Sequence, residues 1–473
     1  MSARGWTVLF ALLVAALFAI RLAGPSDLEA DAQDRNVGYV MDVVWQGHWL
    51  VQTDIRGRIM SKPPLHTWVA AAFASLGGIN RFTLGLPSAL AAFGMACAVF
   101  FFGRRYFGAL AGGMAGLAVV LAPLMARHVA LVRTDALFAL AIALAAFAAH
   151  RAWERGGGWT PFWLAAAAAT LIKGPLGLLL AAAGLLAWFW ERRDDAAAPP
   201  PRGSHALGVG LFFAITLGWL LLAVASHGQP LIDKLFFDEL LGQATGMRKG
   251  SMPGAKLHKP VLFITTHFLP FSLFFWAGLW RVLRHPAVDA ATRRFERFLV
   301  CWLAAGFLVF GLAAHFRADL ILPLWPAAAL LAGRELALLG ARIGVRRLAA
   351  GMGVAAVLLV GAAGWNYLAK NARKSKEVHY TLQAEAAARA LAHSGIDAKR
   401  LRHLDTPTTL QLKLGTFNVW IGTEEARRLA ESSAPVLLAV ESPKDFPQLF
   451  GAAAPPLHRV FDVPGLSVYS NAQ

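Results

Sequence analysis

Long apolar runs recur along most of this chain, from Trp6 to Tyr367, and they limit its possible folds more than any other feature. A helix crosses the hydrocarbon layer of a bilayer with about 20 apolar residues. A soluble core could not bury so much apolar surface, since 57% of the 473 residues are hydrophobic and only 15% are charged. The sequence therefore predicts a polytopic α-helical membrane protein whose main solvent is lipid.

The apolar runs divide into about eleven membrane-spanning helices of nearly bilayer length. They cover residues 6–24, 81–102, 108–125, 134–150, 159–172, 175–190, 206–226, 261–280, 297–314, 319–333 and 348–367. The first run also resembles a secretory signal, but its length and the many later spans favour an uncleaved helix. The fifth and sixth spans form either a tight hairpin or one bent segment.

The distribution of basic residues predicts the orientation of these spans. Short loops on one side are rich in arginine, among them Arg104, Arg105, Arg151, Arg155, Arg192 and Arg193. Short loops on the other side hold few cations, namely Arg127, Arg133, Lys173 and Arg317. By the positive-inside rule, the N-terminus is cytoplasmic. Residues 25–80, residues 227–260 and everything after residue 368 then lie on the outer, periplasmic face of a bacterial inner membrane.

Composition also excludes two other classes of function. The formal charge of +17 comes from short clusters of Lys and Arg between apolar runs, so no continuous basic face for nucleic acid is predicted. The two cysteines, Cys97 and Cys301, both lie inside apolar runs. Neither a disulfide framework nor a cysteine metal site is indicated, and both residues are expected to fill the core.

The chain changes character after residue 367, which we take as the boundary between a transmembrane domain (1–367) and a second domain (368–473). A polar helix is predicted over Tyr380–His393 and another over Thr423–Ser432. Short apolar runs at 401–404, 417–421, 436–440 and 459–463 are typical of strands. This alternation predicts a small C-terminal α/β domain, without a glycine-rich phosphate loop.

The first outer loop, residues 25–80, combines many charges with tryptophans, and long ordered loops commonly carry function. A helix is predicted to end at Gly47, and a second to begin at Ser61-Lys62-Pro63-Pro64. Trp49 and Trp68 suit the membrane interface. The loop is therefore expected to present carboxylates and Lys62 at headgroup depth.

An ordered series of short motifs then becomes informative as a set. The series is GHWL at 47–50, KPPL at 62–65, INRF at 79–82, LPSAL at 86–90, GRRYFG at 103–108, RTDAL at 133–137, KGPL at 173–176, HKP at 258–260 and LPLWPA at 322–327. Over roughly residues 6–335 the chain resembles the bacterial C-type-fold glycosyltransferases. That family includes the aminoarabinose transferase of lipid A modification and is distantly similar to protein O-mannosyltransferases.

The resemblance implies transfer of a sugar from a polyprenyl phosphate carrier to an acceptor, which is lipid A, another glycan or a protein. Cleavage leaves negative charge on the lipid phosphate, which a cation or a divalent metal ion should stabilise. Lys62 stands at the family's lysine position and is the expected phosphate ligand. Its alternative role is to extend its amino group to the interface, a behaviour typical of membrane lysines.

An attacking hydroxyl also needs a proton acceptor, and a carboxylate can serve. The family's Asp-Glu pair falls on Ala32 and Gln33 when counted back from Gly47 without a gap. A shift of one residue would place either Asp31 or Asp34 there, so both are candidate bases. Ser61 replaces the family's glutamate before the lysine, which weakens the expectation of a metal.

Four further residues match the family or lie at outer span ends. Asp135 is a candidate catalytic acid, although an acid in the first turn of a helix also complements the helix dipole. Lys173 and Arg317 are candidate phosphate ligands, with interfacial anchoring as their alternative. His258 is a candidate metal ligand or an ordinary surface histidine. Glu239 is a weaker acidic candidate.

Two other classes of function compete with an enzyme. A transporter or flippase of lipid-linked saccharides commonly has internal repeats and charges at the bilayer midplane. Here no repeat is evident, and the ionisable residues gather at outer span ends. A scaffold that only displays the C-terminal domain would not need acids and bases in several outer loops. The pattern therefore favours a glycosyltransferase.

Overall fold

The computed structural model describes residues 1–30, 32–242, 257–313, 316–370, 375–441 and 457–472, with only the backbone for Leu240. Seven helices within these residues are long and apolar enough to cross a membrane. They are Ala3–Ala23, Arg81–Phe107, Thr134–Arg155, Ala206–His227, Ala290–Leu312, Ala318–Ile343 and Val345–Lys370. Further apolar helices are shorter. The predicted polytopic α-helical fold with a small C-terminal α/β domain is confirmed.

The helices follow one another closely along the chain. The first twelve are α1 (Ala3–Ala23), α2 (Gln33–Met41), α3 (Leu65–Gly77), α4 (Arg81–Phe107), α5 (Ala109–Leu121), α6 (Pro123–His128), α7 (Thr134–Arg155), α8 (Thr160–Lys173), α9 (Leu176–Ala182), α10 (Ala187–Asp194), α11 (Ala206–His227) and α12 (Gln229–Ile232). The others are α13 (Lys259–His267), α14 (Phe271–Arg284), α15 (Ala290–Leu312), α16 (Trp325–Ile343), α17 (Val345–Gly364), α18 (Lys376–Ala392), α19 (Thr408–Leu414) and α20 (Thr423–Ala430).

Wider and tighter helical turns extend several of these helices. Wider, π-helical turns lie at Asp42–Gln46, Asp233–Leu241 and Trp365–Lys370, and tighter 3-10 turns at Ala183–Leu186, Ala318–Leu324 and Ala398–Arg400. The predicted span 175–190 consists of α9 and α10 around one such tight turn. The predicted span 261–280 is interrupted between α13 and α14, where Pro270 removes a backbone donor.

The described chain divides into two compact units. Unit 1 comprises Met1–Arg21, Ser61–His66 and Gly85–Gly364. Its helices approach closely at small residues, since a Cβ on Gly333 of α16 would collide with the Ala111 carbonyl oxygen of α5. Close backbone approach of this kind is how helices pack when lipid supplies no hydrophobic driving force between them.

Unit 2 comprises Leu22–Met60, Thr67–Leu84 and Trp365–Gln473, so it joins most of the first outer loop to the C-terminal region. Its sheet has the order β1-β2-β4-β3, with β1 (Leu401–Asp405), β2 (Leu437–Val440), β3 (His458–Val463) and β4 (Leu466–Ser470). Strands β1 and β2 are parallel, and β4 is antiparallel to both of its neighbours. Helices α18 and α19 cover one face and α20 the other.

Two predictions for unit 2 need correction. The predicted strand at 417–421 is wrong, because its backbone donors go to separate partners: Trp420 N to Ile55 O and Ile421 N to His403 O. Strand β4 was not predicted. In the first loop, the helix that ends at Gly47 is present as α2 with its π-helical turn. The second helix begins at Leu65 and not at Ser61, since a residue before proline is disfavoured in helical geometry.

His403 makes the stability of this fold depend on pH. Its ring is fully buried in β1, and burial lowers the pKa of His403 to about 4 from an ordinary value of 6.5. Between these two pH values the unfolded chain binds a proton that the folded chain excludes. The stability contribution of the neutral ring is therefore complete above pH 6.5 and is lost as the pH falls toward 4, by about 3 kcal/mol.

Thermal unfolding of the full chain in nanodiscs, followed from pH 7.5 to pH 4.5, checks this expectation. His403→Gln should flatten the pH dependence of the melting temperature in this range, because glutamine does not titrate. His393→Gln, which removes an exposed histidine, is the matched control. Equal pH slopes in wild type and His403→Gln would contradict the expectation.

Candidate functional site

A buried carboxylate at the start of α7 organises the polar side chains of unit 1. Asp135 lies in the first turn of α7 and is 2% exposed. Its Oδ1 accepts a hydrogen bond from Lys173 Nζ at 2.5 Å, and its Oδ2 lies 3.0 Å from Arg133 Nε. Two candidates predicted from the sequence, Asp135 and Lys173, are thus in direct contact. A carboxylate held by two cations is well suited to fix their positions.

The network continues through residues that were not predicted as site residues. Arg133 Nη1 donates to Asp319 Oδ2 at 3.0 Å. His128 Nδ1 lies 2.8 Å from the Leu124 carbonyl oxygen, so this nitrogen carries the hydrogen. Its Nε2 lies 3.4 Å from Asp319 Oδ1. We call Asp135, Lys173, Arg133, Asp319 and His128 the Asp135 cluster.

Lys62 lies beside this cluster. It is in the Ser61–His66 segment of unit 1, and its charge acts on Lys173. Its Nζ donates a hydrogen bond of 2.9 Å to Oε2 of Glu239, on the π-helical turn Asp233–Leu241. The side chain of Lys62 is 35% exposed, whereas that of Glu239 is 8% exposed. Lys62 therefore combines a buried partner with an accessible ammonium group.

Residues that follow Lys173 in the chain, together with two residues of α15, line an apolar crevice. It has a volume of about 430 Å³. Its lining is almost entirely aliphatic and includes Pro175, Leu178, Leu179, Ala183, Leu186 and Val309.

Two predicted residues of unit 1 lie apart from these contacts. Arg317 and His258 are exposed, and Arg317 immediately precedes the tight turn Ala318–Leu324. Within the described ranges, no group of three or more His, Cys, Asp or Glu side chains is placed to hold a metal ion. Ser61 also lacks the carboxylate that a metal would need beside Lys62. The described residues do not fit a divalent metal, and no step proposed below uses one.

The candidate acceptor base is in unit 2. Asp34 lies in the first turn of α2, after Ala32 in a left-handed conformation, and Asp31 lies outside the described residues. The Asp34 side chain is 15% exposed, and its Oδ2 is 3.8 Å from Arg56 Nη2 and 3.9 Å from Arg58 Nη2. Both distances are longer than those of hydrogen-bonded ion pairs.

The C-terminal region of unit 2 holds this loop in place. The Arg56 guanidinium lies over the Trp420 ring, 4.6 Å from its centroid. The Trp420 backbone nitrogen donates to the Ile55 carbonyl at 2.7 Å. Farther along, the Glu29 carboxylate accepts from the Thr409 backbone nitrogen at 2.7 Å. Burial raises the pKa of Glu29 despite this hydrogen bond. Segments far apart in sequence thus fold as one unit.

Comparisons with known proteins agree with this architecture. Residues 61–221 match the family described as Dolichyl-phosphate-mannose-protein mannosyltransferase. No curated protein matches the sequence. The structure is similar to that of ArnT from Cupriavidus metallidurans bound to undecaprenyl phosphate, with a TM-score of 0.78, 19% identity, and coverage of 100% of this chain and 99% of that chain.

Two further solved structures are similar. ArnT from the same organism in the apo state gives a TM-score of 0.74 at 18% identity, covering 100% of this chain and 99% of that chain. The archaeal oligosaccharyltransferase AglB from Archaeoglobus fulgidus, in complex with an inhibitory peptide and a dolichol-phosphate, gives 0.50 at 10% identity, covering 93% and 69%. The fold and the family match together confirm the predicted resemblance to C-type-fold glycosyltransferases.

Proposed function

We propose that this membrane glycosyltransferase moves a sugar from a polyprenyl phosphate carrier to an acceptor on the periplasmic face of the inner membrane. The acceptor is lipid A, another glycan or a protein. The observation that carries the proposal is that the charge of Lys62 acts on Lys173, which lies two residues before Pro175 in the lining of an apolar crevice. Lipid phosphates in the similar ArnT and AglB structures support this class of carrier.

The carrier phosphate is proposed to lie against Lys62, with Lys173 adding positive charge. When the bond between the anomeric carbon and the phosphate oxygen breaks, the phosphodiester monoanion becomes a phosphomonoester with a second negative charge. Fixed cations stabilise this developing charge more than they stabilise the ground state. Arg317 is exposed and lies two residues before Asp319, and it is proposed to contribute to phosphate binding.

Asp135 is proposed to act electrostatically. Its carboxylate already accepts from Lys173 and contacts Arg133, and it is 2% exposed. A carboxylate in that position cannot take a proton from an acceptor without giving up both cations. Its proposed contribution to catalysis is to hold Lys173 in place and to keep its ammonium charged.

Either Asp31 or Asp34 is proposed to accept the proton of the acceptor hydroxyl. The hydroxyl oxygen forms the new bond to the anomeric carbon, its proton moves to the carboxylate, and polyprenyl phosphate leaves. The partial exposure of Asp34 and its long distances to Arg56 and Arg58 support this role. The excess of arginine in one set of short loops supports a cytoplasmic N-terminus and periplasmic segments 25–80, 227–260 and 368–473.

The proposal is tested with purified protein in nanodiscs. A polyprenyl phosphate carrying a radiolabelled sugar is added together with a membrane extract that contains candidate acceptors. We expect the label to move to an acceptor as polyprenyl phosphate is released. If the donor stays intact in every condition while the protein moves it across liposome membranes, the chain is a flippase and the proposal is wrong.

A further inference from the structure

The ion pair of Lys62 and Glu239 is asymmetric. Glu239 is 8% exposed and Lys62 is 35% exposed, and their bond of 2.9 Å joins an enclosed anion to an accessible cation. Glu239 lies on a π-helical turn, a geometry that is frequent at functional positions. Among the described residues, the structure gives Lys62 Nζ one hydrogen-bond acceptor, Glu239, although an ammonium group can donate three hydrogen bonds.

The neighbouring pair of Lys173 and Asp135 is more enclosed. The Asp135 carboxylate contacts both Lys173 and Arg133. The Lys173 side chain is only 10% exposed. Lys62 is more open, and an incoming anion could reach it without first displacing Glu239. Glu239 would then lie near a phosphate bound to Lys62, and the two anions would repel each other.

We propose that Glu239 is an internal counter-ion of Lys62 that limits how tightly the polyprenyl phosphate product is held. The inference rests on the proposed function. The donor is a phosphodiester with one negative charge, whereas the product is a phosphomonoester with a second pKa near 6 and hence nearly two charges at pH 8. Repulsion by Glu239 scales with the charge of the phosphate, so it acts about twice as strongly on the product.

The proposal gives a quantitative expectation for Glu239→Gln. Glutamine keeps the shape of the side chain and can still accept a hydrogen bond from Lys62, but it removes the negative charge. Because the free energies scale with charge, the fold-change for the product is about the square of that for the donor. We expect affinity to rise about three-fold for a phosphodiester and about ten-fold for polyprenyl phosphate.

The experiment measures dissociation constants at pH 8 in nanodiscs for two probes. They are a short-chain polyprenyl phosphate and its non-hydrolysable sugar phosphodiester analogue. Lys62→Gln should weaken both, and Glu239→Asp, which keeps the charge, should behave like wild type. Asp238→Asn is the matched control, since it removes one negative charge from the neighbouring residue, which is 56% exposed. In turnover assays, Glu239→Gln should show stronger inhibition by added polyprenyl phosphate.

Specific outcomes would overturn the counter-ion role. The first is an unchanged or weaker affinity of Glu239→Gln for polyprenyl phosphate, while Lys62→Gln still loses affinity. The second is an equal gain in affinity of Glu239→Gln for both probes. In these cases the proposed carrier site would stand. Absence of binding to the wild-type protein would overturn both this inference and the proposed function. Glu239→Ala provides a second charge-removing variant, with the same expected preference for the product.

Discussion

Asparagine in place of the proposed catalytic aspartate of the first loop is expected to lower sugar transfer by about 10²- to 10⁴-fold, the usual contribution of a general base. Asp34→Asn and Asp31→Asn are the two variants to compare, and the loss is expected in one of them. Asparagine keeps the shape of the side chain but cannot take a proton at neutral pH. The measurement is single-turnover transfer of labelled sugar at saturating donor.

The lower rate of sugar transfer should come from a slower chemical step and not from misfolding. Expression, melting temperature and affinity for polyprenyl phosphate should stay at wild-type values, because asparagine keeps the shape of the side chain and neither aspartate is a proposed phosphate ligand. Glu425→Gln is the matched control, as it neutralises an exposed acid of the same unit. Full activity of both aspartate variants would remove both residues from the mechanism.

Asp135→Asn is expected to reduce stability by about 3–5 kcal/mol and to abolish transfer, because it leaves two buried cations without their shared carboxylate. Adding Lys173→Gln should restore part of the lost stability, since the double variant no longer buries an unpaired ammonium group. Transfer should stay absent in the double variant. Melting temperatures and urea unfolding of the four members of this double-mutant cycle give the coupling energy.

An exposed pair serves as the control for this cycle. Lys234 and Asp238 form an ion pair at 3.1 Å with side chains 22% and 56% exposed. Solvated pairs of this type contribute about 0.2–1 kcal/mol. If Asp135→Asn lowered stability no more than Asp238→Asn does, the Asp135 cluster would not be the buried network on which our account depends.

Much of the fold follows from the length of the apolar runs. A helix must satisfy its own backbone groups in lipid, so runs such as 206–226 have few alternatives to a helix, and α11 follows that run closely. The interrupted spans were harder to predict. Pro270 breaks the helix at 261–280, but proline is tolerated inside α4 at Pro87, and sequence alone does not distinguish these cases.

The site was only partly predictable for a related reason. Asp135 was identified from the family resemblance, and Lys173 because an ionisable residue at the end of an apolar run needs an explanation. Asp319 also begins an apolar run, two residues after Arg317, and this signal could have identified it. Its partner Arg133 is 186 residues away, and Glu239 is 177 residues from Lys62. Contacts over such separations depend on how the helices pack, which hydrophobic patterns leave undetermined.

Unit 2 combines an early and a late segment of the chain, and this has a consequence for biosynthesis. The loop that carries Asp34 is synthesised early, yet its partners Thr409 and Trp420 belong to the last part of the chain. At about 5–20 residues per second, the ribosome takes roughly 20–70 s to make the intervening residues. Every membrane span would be made before this loop meets the segments that hold it. A prematurely terminated chain could therefore enter the membrane but would lack the contacts that order its proposed base.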